Sequence, residues 1–252
     1  MLNDADVTSL LPVPGRDTDK YRRGVVGVLA GSPDYTGAAV LSVGGAVRGG
    51  AGMVRYPGEA AAAVRARWPE VVAAPGRVQA WVIGPGLGES QRAEVAKALA
   101  EGVPVVVDAD GLRHLPERFD TPALLTPHAG ELARLLGESR ENVEARRLHF
   151  ATEAARRWNA TVLLKGSTTL VATPDGRVRA NPTGSPALAT AGSGDVLTGL
   201  AGSLMAGGLD PLDAGSVAAY VHGLAGRLAA RTAAYPSATD VLDALPQAFP
   251  RR

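Results

Sequence analysis

Cysteine is absent from the 252 residues. That excludes disulfides, thiolate catalysis and cysteine-based metal sites, and it fits a reducing compartment. Aromatic residues are only 4% of the chain, whereas there are 31 glycines. Small side chains in that number favour close helix–sheet packing and many tight strand–helix turns. An excess of charge is also missing: the formal net charge is +1, and no Lys/Arg cluster interleaves with aromatics. Nucleic acid is therefore not expected as a partner. Long membrane-type runs are lacking too. The apolar stretch from Val196 to Leu209 is too short and glycine-rich to match a bilayer span of roughly 20 helical residues. The opening MLNDADVTSLLPV has no basic region leading into an apolar one, so no secretory leader is expected. A cytoplasmic location with no membrane partner follows as the expectation.

What the chain has is 46% hydrophobic residues and a repeated rhythm of strand, turn and helix. Short apolar runs are expected as strands at Val25–Ala30, Met53–Tyr56, Ala80–Ile83, Pro104–Val107, Ala123–Leu125 and Thr161–Leu164. Helices are expected from Gly37 to Gly50, from an N-cap at Ser90 to Glu101, from Asn142 to Trp158, and through most of the chain after Ser193. Thr169–Ala172 and Val178–Ala180 flank the turn Pro174-Asp175-Gly176 and predict a hairpin at an antiparallel edge. The pattern predicts an α/β fold: a doubly wound, mostly parallel central sheet flanked by helices. With no linker, repeat or low-complexity tract, one domain over residues 1–252 is expected.

The strand ends carry the chemistry. Five runs finish in Gly31-Ser32, Gly84-Pro85-Gly86, Asp108-Ala109-Asp110, Thr126-Pro127-His128 and Lys165-Gly166. Ligands of open α/β sheets bind at the carboxyl ends of the strands, so these residues gather on one edge. Facing them is Gly192-Ser193-Gly194-Asp195, a glycine-bracketed turn at the start of an uncharged helical run. Such a turn presents backbone N–H groups and a helix dipole to an anion, such as a phosphoryl group in transfer. Asp195 is placed to accept a proton from a substrate hydroxyl.

Each feature also has a plainer meaning. The Gly192 to Asp195 turn can be a simple helix cap, His128 can cap or pack, and Lys165 can be solvated. Asp108 and Asp110 can be paired metal or base carboxylates, or a helix cap. Gly84 to Gly88 does not have the GxGxxG spacing of dinucleotide folds, and no GxxxxGK[ST] loop occurs. His114, His149 and His222 read as structural or surface residues.

Taken together, the motifs resemble a family, the ADP/ATP-dependent NAD(P)H-hydrate dehydratases of the ribokinase-like superfamily. The matching residues are Tyr35-Thr36-Gly37-Ala38-Ala39, Gly49-Gly50-Ala51-Gly52-Met53-Val54, Ile83 to Gly88, Val107 to Asp110, Leu125 to Glu131, Leu164-Lys165-Gly166 and Ala189 to Leu197. The resemblance implies a metabolite-repair lyase. Its substrate is the S epimer of NADH or NADPH hydrated at C6 of the nicotinamide ring. A nucleotide phosphorylates that hydroxyl, and loss of phosphate restores the cofactor. It further implies Asp195 as the catalytic base, with Ala39, Gly86, Gly88, His128, Glu131 and Asp195 on the substrate side. Lys165, Gly166, Ser167, Thr168 and Thr169, with Gly192, Ser193 and Gly194, would take the adenine nucleotide. Mg²⁺ is implied, with ligands unassigned; ADP is favoured over ATP as donor; a homotetramer is expected. The chain departs from the family pattern at Lys20-Tyr21, at Gly111 and in Gly-Ser-Gly-Asp for Gly-Thr-Gly-Asp. A partner epimerase domain is not expected within this length.

The runner-up is a ribokinase-like kinase for a sugar or vitamin precursor, which would use Asp195 in the same way. Sugar kinases of that superfamily place an acid shortly before the aspartate, where this chain has Ala189. A non-catalytic nucleotide sensor is the third possibility; intact Asp195, Lys165 and His128 argue against it.

Overall fold

The computed structural model describes residues 1–13 and 15–251. Its centre is an eight-stranded sheet in the order β2-β1-β3-β4-β5-β6-β7-β8. The strands are β1 (Val25–Leu29), β2 (Met53–Arg55), β3 (Ala80–Ile83), β4 (Val105–Val107), β5 (Ala123–Leu125), β6 (Thr161–Leu164), β7 (Thr169–Ala172) and β8 (Val178–Asn181). The first six run parallel, while β7 and β8 complete the edge in antiparallel pairing. The expected hairpin and the expected ribokinase-type α/β layering are both present.

Period-2 alternation sorts the strand side chains into two cores. Val26, Val28, Val82, Val106, Leu124 and Leu163 face one layer of helices. Val25, Leu29, Trp81, Ile83, Val105, Val107, Leu125, Val162 and Leu164 face the other. The first layer contains α2 (Thr36–Arg48), α8 (Ser193–Ala206), α9 (Pro211–Thr232) and α10 (Ala238–Ala248). The second contains α4 (Arg92–Ala100), α5 (Ala129–Leu136) and α7 (Arg147–Trp158). Three short helices complete the set: α1 (Asp4–Leu10), α3 (Ala61–Arg67) and α6 (Arg140–Ala145). No helix among the described residues is long and apolar enough to cross a membrane.

Helix α8 is buried nearly all round, beyond the stripe of Val196, Leu197, Leu200, Leu204 and Met205 that the sequence suggests. Its neighbour α2 lies against it backbone to backbone. A Cβ on Gly199 would stand 1.9 Å from the Ser42 carbonyl oxygen, and one on Gly45 would stand 2.3 Å from that of Val196. Glycine is required at this crossing by close approach, and the seam holds the start of α8 at the sheet's carboxyl edge.

Two expectations need correction. The helix expected over 142–158 is two helices, α6 and α7, broken at Arg146, whose φ −129° and ψ 42° are not helical. Ser90 is not the cap of α4. A 3₁₀ turn, Glu89–Gln91, precedes that helix, and the Gln91 side chain accepts the Gly88 N–H at 3.0 Å.

The seam yields a stability test. Gly199→Ala should lower stability by about 1–3 kcal/mol, the usual cost of overpacking, despite alanine's better helix propensity. Gly37→Ala, where an added Cβ meets nothing within 4 Å, should be neutral or slightly stabilising. Thermal denaturation of both variants checks the contrast; equal melting temperatures would refute the seam.

Candidate active site

The strand-end residues do meet at one edge. Gly31 N–H donates to the Pro85 carbonyl at 2.7 Å, tying the β1 turn to the Gly84–Gly88 turn. Gly86 lies against Tyr35 and Ala38 at the start of α2. Ala39 is fully buried with its methyl toward Gly31, so it shapes the pocket floor from behind. Gly84 packs so tightly on the next turn that a Cβ would be 1.8 Å from the Asp108 carbonyl oxygen. This first group is thereby joined to a second one, around Asp108.

Asp108 is 1% exposed, and both of its oxygens are engaged. Oδ1 accepts the Lys165 ammonium at 2.7 Å and the Ala109 N–H at 2.9 Å. Oδ2 is 2.7 Å from Thr198 Oγ1, which is also 2.8 Å from the Gly194 carbonyl. Of the two readings of Asp108, the cap is present, on the 3₁₀ turn Ala109–His114; its charged partner is Lys165 in a buried ion pair, which the sequence reading did not foresee. Asp110 is partly exposed and lies 3.5 Å from Arg113. Lys165 is not a freely solvated lysine. Its side chain is 20% exposed, and Nζ is also 3.7 Å from Glu131 Oε2. Burial pulls its pKa down, but Asp108, Glu131 and Asp195 outweigh that and hold it above the usual value.

His128 caps α5. Its Nδ1 accepts the N–H groups of Gly130 and Glu131 at 3.0 and 3.1 Å, while the Glu131 carboxylate accepts the His128 N–H at 2.7 Å. This capping box leaves Nε2 as the protonated, half-exposed nitrogen, 3.5 Å from Glu131. Burial lowers the pKa of His128 below its usual value, with Lys165 and Arg134 adding to the fall and Glu131 and Asp108 opposing it.

The Gly192–Asp195 turn begins α8. Gly192 has φ +88°, and a Cβ there would strike Leu41 at 2.4 Å, so only glycine serves. The Gly194 and Asp195 N–H groups lie in the first helical turn, where no intrahelical acceptor exists. A Cβ on Gly194 would be 3.5 Å from Lys165 Nζ, which places the ammonium beside the turn. Asp195 is half-buried. Desolvation raises its pKa to about 7, with Asp108 and Asp110 adding to the rise and Lys165 opposing it. A carboxyl near 7 is poised to exchange a proton at neutral pH.

The segment 166–168 after β6 is exposed, and its backbone packs against Gly184. For Mg²⁺, the donor chemistry is suitable: Asp195, Asp110 and Glu131 offer hard carboxylate oxygens. No group of three or more His, Cys, Asp or Glu among the described residues is placed to hold a metal. That suits an ion carried mainly by phosphates, with one or two carboxylates assisting.

Thr198 escaped the sequence reading, whereas His222 stands as the structural residue it was expected to be. Thr198 joins Asp108 to the turn, its only signal being a hydroxyl inside an apolar helical run. His222, on α9, is 5% exposed and lies behind the turn, where its ring is hydrogen-bonded to the Ser193 backbone. Burial pushes its pKa down to about 4, so it is a neutral core histidine, and its Nε2 has no partner.

Comparison with known proteins adds to this geometry. The family model for NAD(P)H-hydrate dehydratase matches residues 26–247. The bifunctional NAD(P)H-hydrate repair enzyme Nnr of Mycobacterium leprae is 49% identical over 95% of this chain and 52% of its own length. That of Moorella thermoacetica is 38% identical over 98% of this chain and 53% of its own. The chain thus spans about half the length of the curated relatives it matches. Among solved structures, the ADP/ATP-dependent NAD(P)H-hydrate dehydratase of Bacillus subtilis, co-crystallised with ATP/Mg²⁺, superposes with TM-score 0.90. It is 31% identical, over 98% of this chain and 96% of that one. A ribokinase-like superfamily protein of Enterococcus faecalis shares the fold at TM-score 0.87 and 24% identity. With this fold, this strand-end site and a match over nearly its whole length, the chain belongs to the NAD(P)H-hydrate dehydratase family.

Proposed function

We propose that the chain dehydrates the S epimer of hydrated NADH or NADPH at the expense of a nucleotide. The observation that supports this most is Asp195. It is a half-buried carboxylate with a pKa near 7, set in an anion-receiving helical turn beside a buried Lys165–Asp108 pair.

In this reading Asp195 takes the proton of the C6 hydroxyl as its oxygen attacks the terminal phosphorus of the nucleotide. The N–H groups of Gly194 and Asp195, and the Lys165 ammonium beside them, stabilise charge on the phosphoryl oxygens in transfer. Mg²⁺, when bound with the nucleotide, supplies further neutralisation of the phosphates. The ring nitrogen's electron pair then expels phosphate from C6 while a proton leaves the adjacent ring carbon, regenerating the double bond. Hydroxide is a poor leaving group and phosphate a good one, which is why a phosphoryl donor is needed.

Residues around Ala39, Gly86, Gly88, His128 and Glu131 form the dinucleotide side, with His128 offering Nε2–H as a donor. Lys165, Gly166, Ser167, Thr168 and Thr169, with Gly192, Ser193 and Gly194, form the nucleotide side. ADP, giving AMP and phosphate, is the favoured donor. One domain over residues 1–252, a homotetramer and a cytoplasmic location complete the proposal.

Purified protein incubated with hydrated NADH, Mg²⁺ and ADP or ATP should restore near-ultraviolet absorbance and release free phosphate. A stable phosphorylated product instead would mean a small-molecule kinase. Asp195→Asn should reduce kcat by about 10²–10⁴-fold, the range for a lost general base, while nucleotide still binds. Wild-type-like turnover in that variant would remove Asp195 from the role. A base must be unprotonated, so kcat/KM should rise with pH to a plateau, with an apparent pKa near 7. A profile flat from pH 5 to 8 would contradict the assignment.

A further inference from the structure

The β6–β7 connection, residues 165–168, leaves β6 after Leu164 and re-enters the sheet at Thr169. Three carbonyls of this segment converge on one atom. Arg147 Nη2, at the start of α7, donates to the carbonyl oxygens of Leu164, Lys165 and Thr168 at 3.1, 3.2 and 3.1 Å. A Cβ on Gly166 would be 2.6 Å from the same nitrogen, so the loop lies flat on the guanidinium because residue 166 is glycine.

Arg147 serves no ion pair among the described residues. The nearby Glu144 binds Arg140 instead, at 2.8 Å, and acts on Arg147 only at longer range. A half-buried guanidinium that turns one nitrogen to three backbone carbonyls is costly to place unless it fixes something. What it fixes is the direction of peptide units. In a trans peptide the N–H points opposite to the C=O, so turning the Lys165 carbonyl toward Arg147 turns the Gly166 N–H away from it. The same anchor holds the backbone from which the Lys165 side chain reaches Asp108.

We propose that Arg147 is the positioning residue of the nucleotide loop, acting through the carbonyls of Leu164, Lys165 and Thr168 rather than by touching the nucleotide. This rests on Lys165 to Thr169 being the nucleotide-binding segment. Its positive charge also lies next to that segment, where it favours an anion's approach.

The test compares wild type, Arg147→Ala and Arg147→Lys in steady-state kinetics and in amide hydrogen exchange without nucleotide. Arg147→Ala should raise KM for the nucleotide by about tenfold to a hundredfold, the size expected when a residue that orients a binding group is lost. The change in kcat should be smaller, and the apparent pKa of kcat/KM should stay in place. Exchange should quicken in peptides covering 164–169 and not in those covering α8. Added guanidinium ion at a few millimolar should recover part of the lost affinity in Arg147→Ala, as a ligand filling the vacated site. Arg147→Lys, which keeps the charge without the planar fork, should fall between the two and guards against a fold-wide effect of the alanine. Unchanged exchange at 164–169 would overturn the proposal whatever the kinetics. A raised KM with unchanged exchange would point to direct nucleotide contact and overturn it as well. A wild-type protein that binds neither ADP nor ATP would refute the nucleotide reading itself, which is seen separately because the exchange comparison needs no nucleotide.

Discussion

Asp108 and Lys165 form the contact on which the site depends. Their 2.7 Å pair joins the end of β4 to the end of β6, across β5, under nearly complete burial of the carboxylate. A buried pair of this kind adds little net stability over apolar residues, but removing one partner leaves the other charge stranded. Its value here is positional. Asp108 also reaches Thr198 on α8, and Lys165 also reaches Glu131 on α5. Four elements of the carboxyl edge thus share one charge network. The network sets the electrostatics of Asp195 as well: Asp108 raises its pKa after desolvation has done so, and Lys165 restrains the rise. A carboxyl near neutrality is the outcome of that balance.

The strands were legible in the sequence because each is a short apolar run closed by glycine or a polar residue, and a two-sided buried strand can be little else. The hairpin was legible from Pro174-Asp175-Gly176. The break at Arg146 was not, because the residues on both sides are good helix formers and only backbone geometry shows the interruption. Ser90 misled for a related reason: it has the chemistry of a cap, but it lies inside a 3₁₀ turn, and α4 starts after Gln91 with no side-chain cap.

At the site, residue types pointed to the right edge of the sheet, but not to the pairing. Asp108 and Lys165 are distant in the chain, and nothing in either segment announces the other. Asp108 was open between a cap and a carboxylate paired with Asp110; it is a cap, and its charge is met by Lys165 instead. His128 was open between cap and ligand; its Nδ1 is consumed by capping, and Nε2 is left outward. Thr198 lies in a helix that reads as packing, so its hydroxyl carried no separate signal. The resemblance to a family supplied roles that spacing alone leaves open.

The glycine seam between α2 and α8 has a further consequence, for the order in which the protein is made. Helix α2 is synthesised early, but the surface it lies on belongs to residues 193–206, with α10 later still. Strands β1, β2 and β3 emerge with only α2 to cover their shared apolar face. That cover is completed only when residues 193–248 arrive, so the domain is closed by non-local contacts. The Gly192–Asp195 turn at the head of α8 therefore takes its place in the same late step that finishes shielding the first strands.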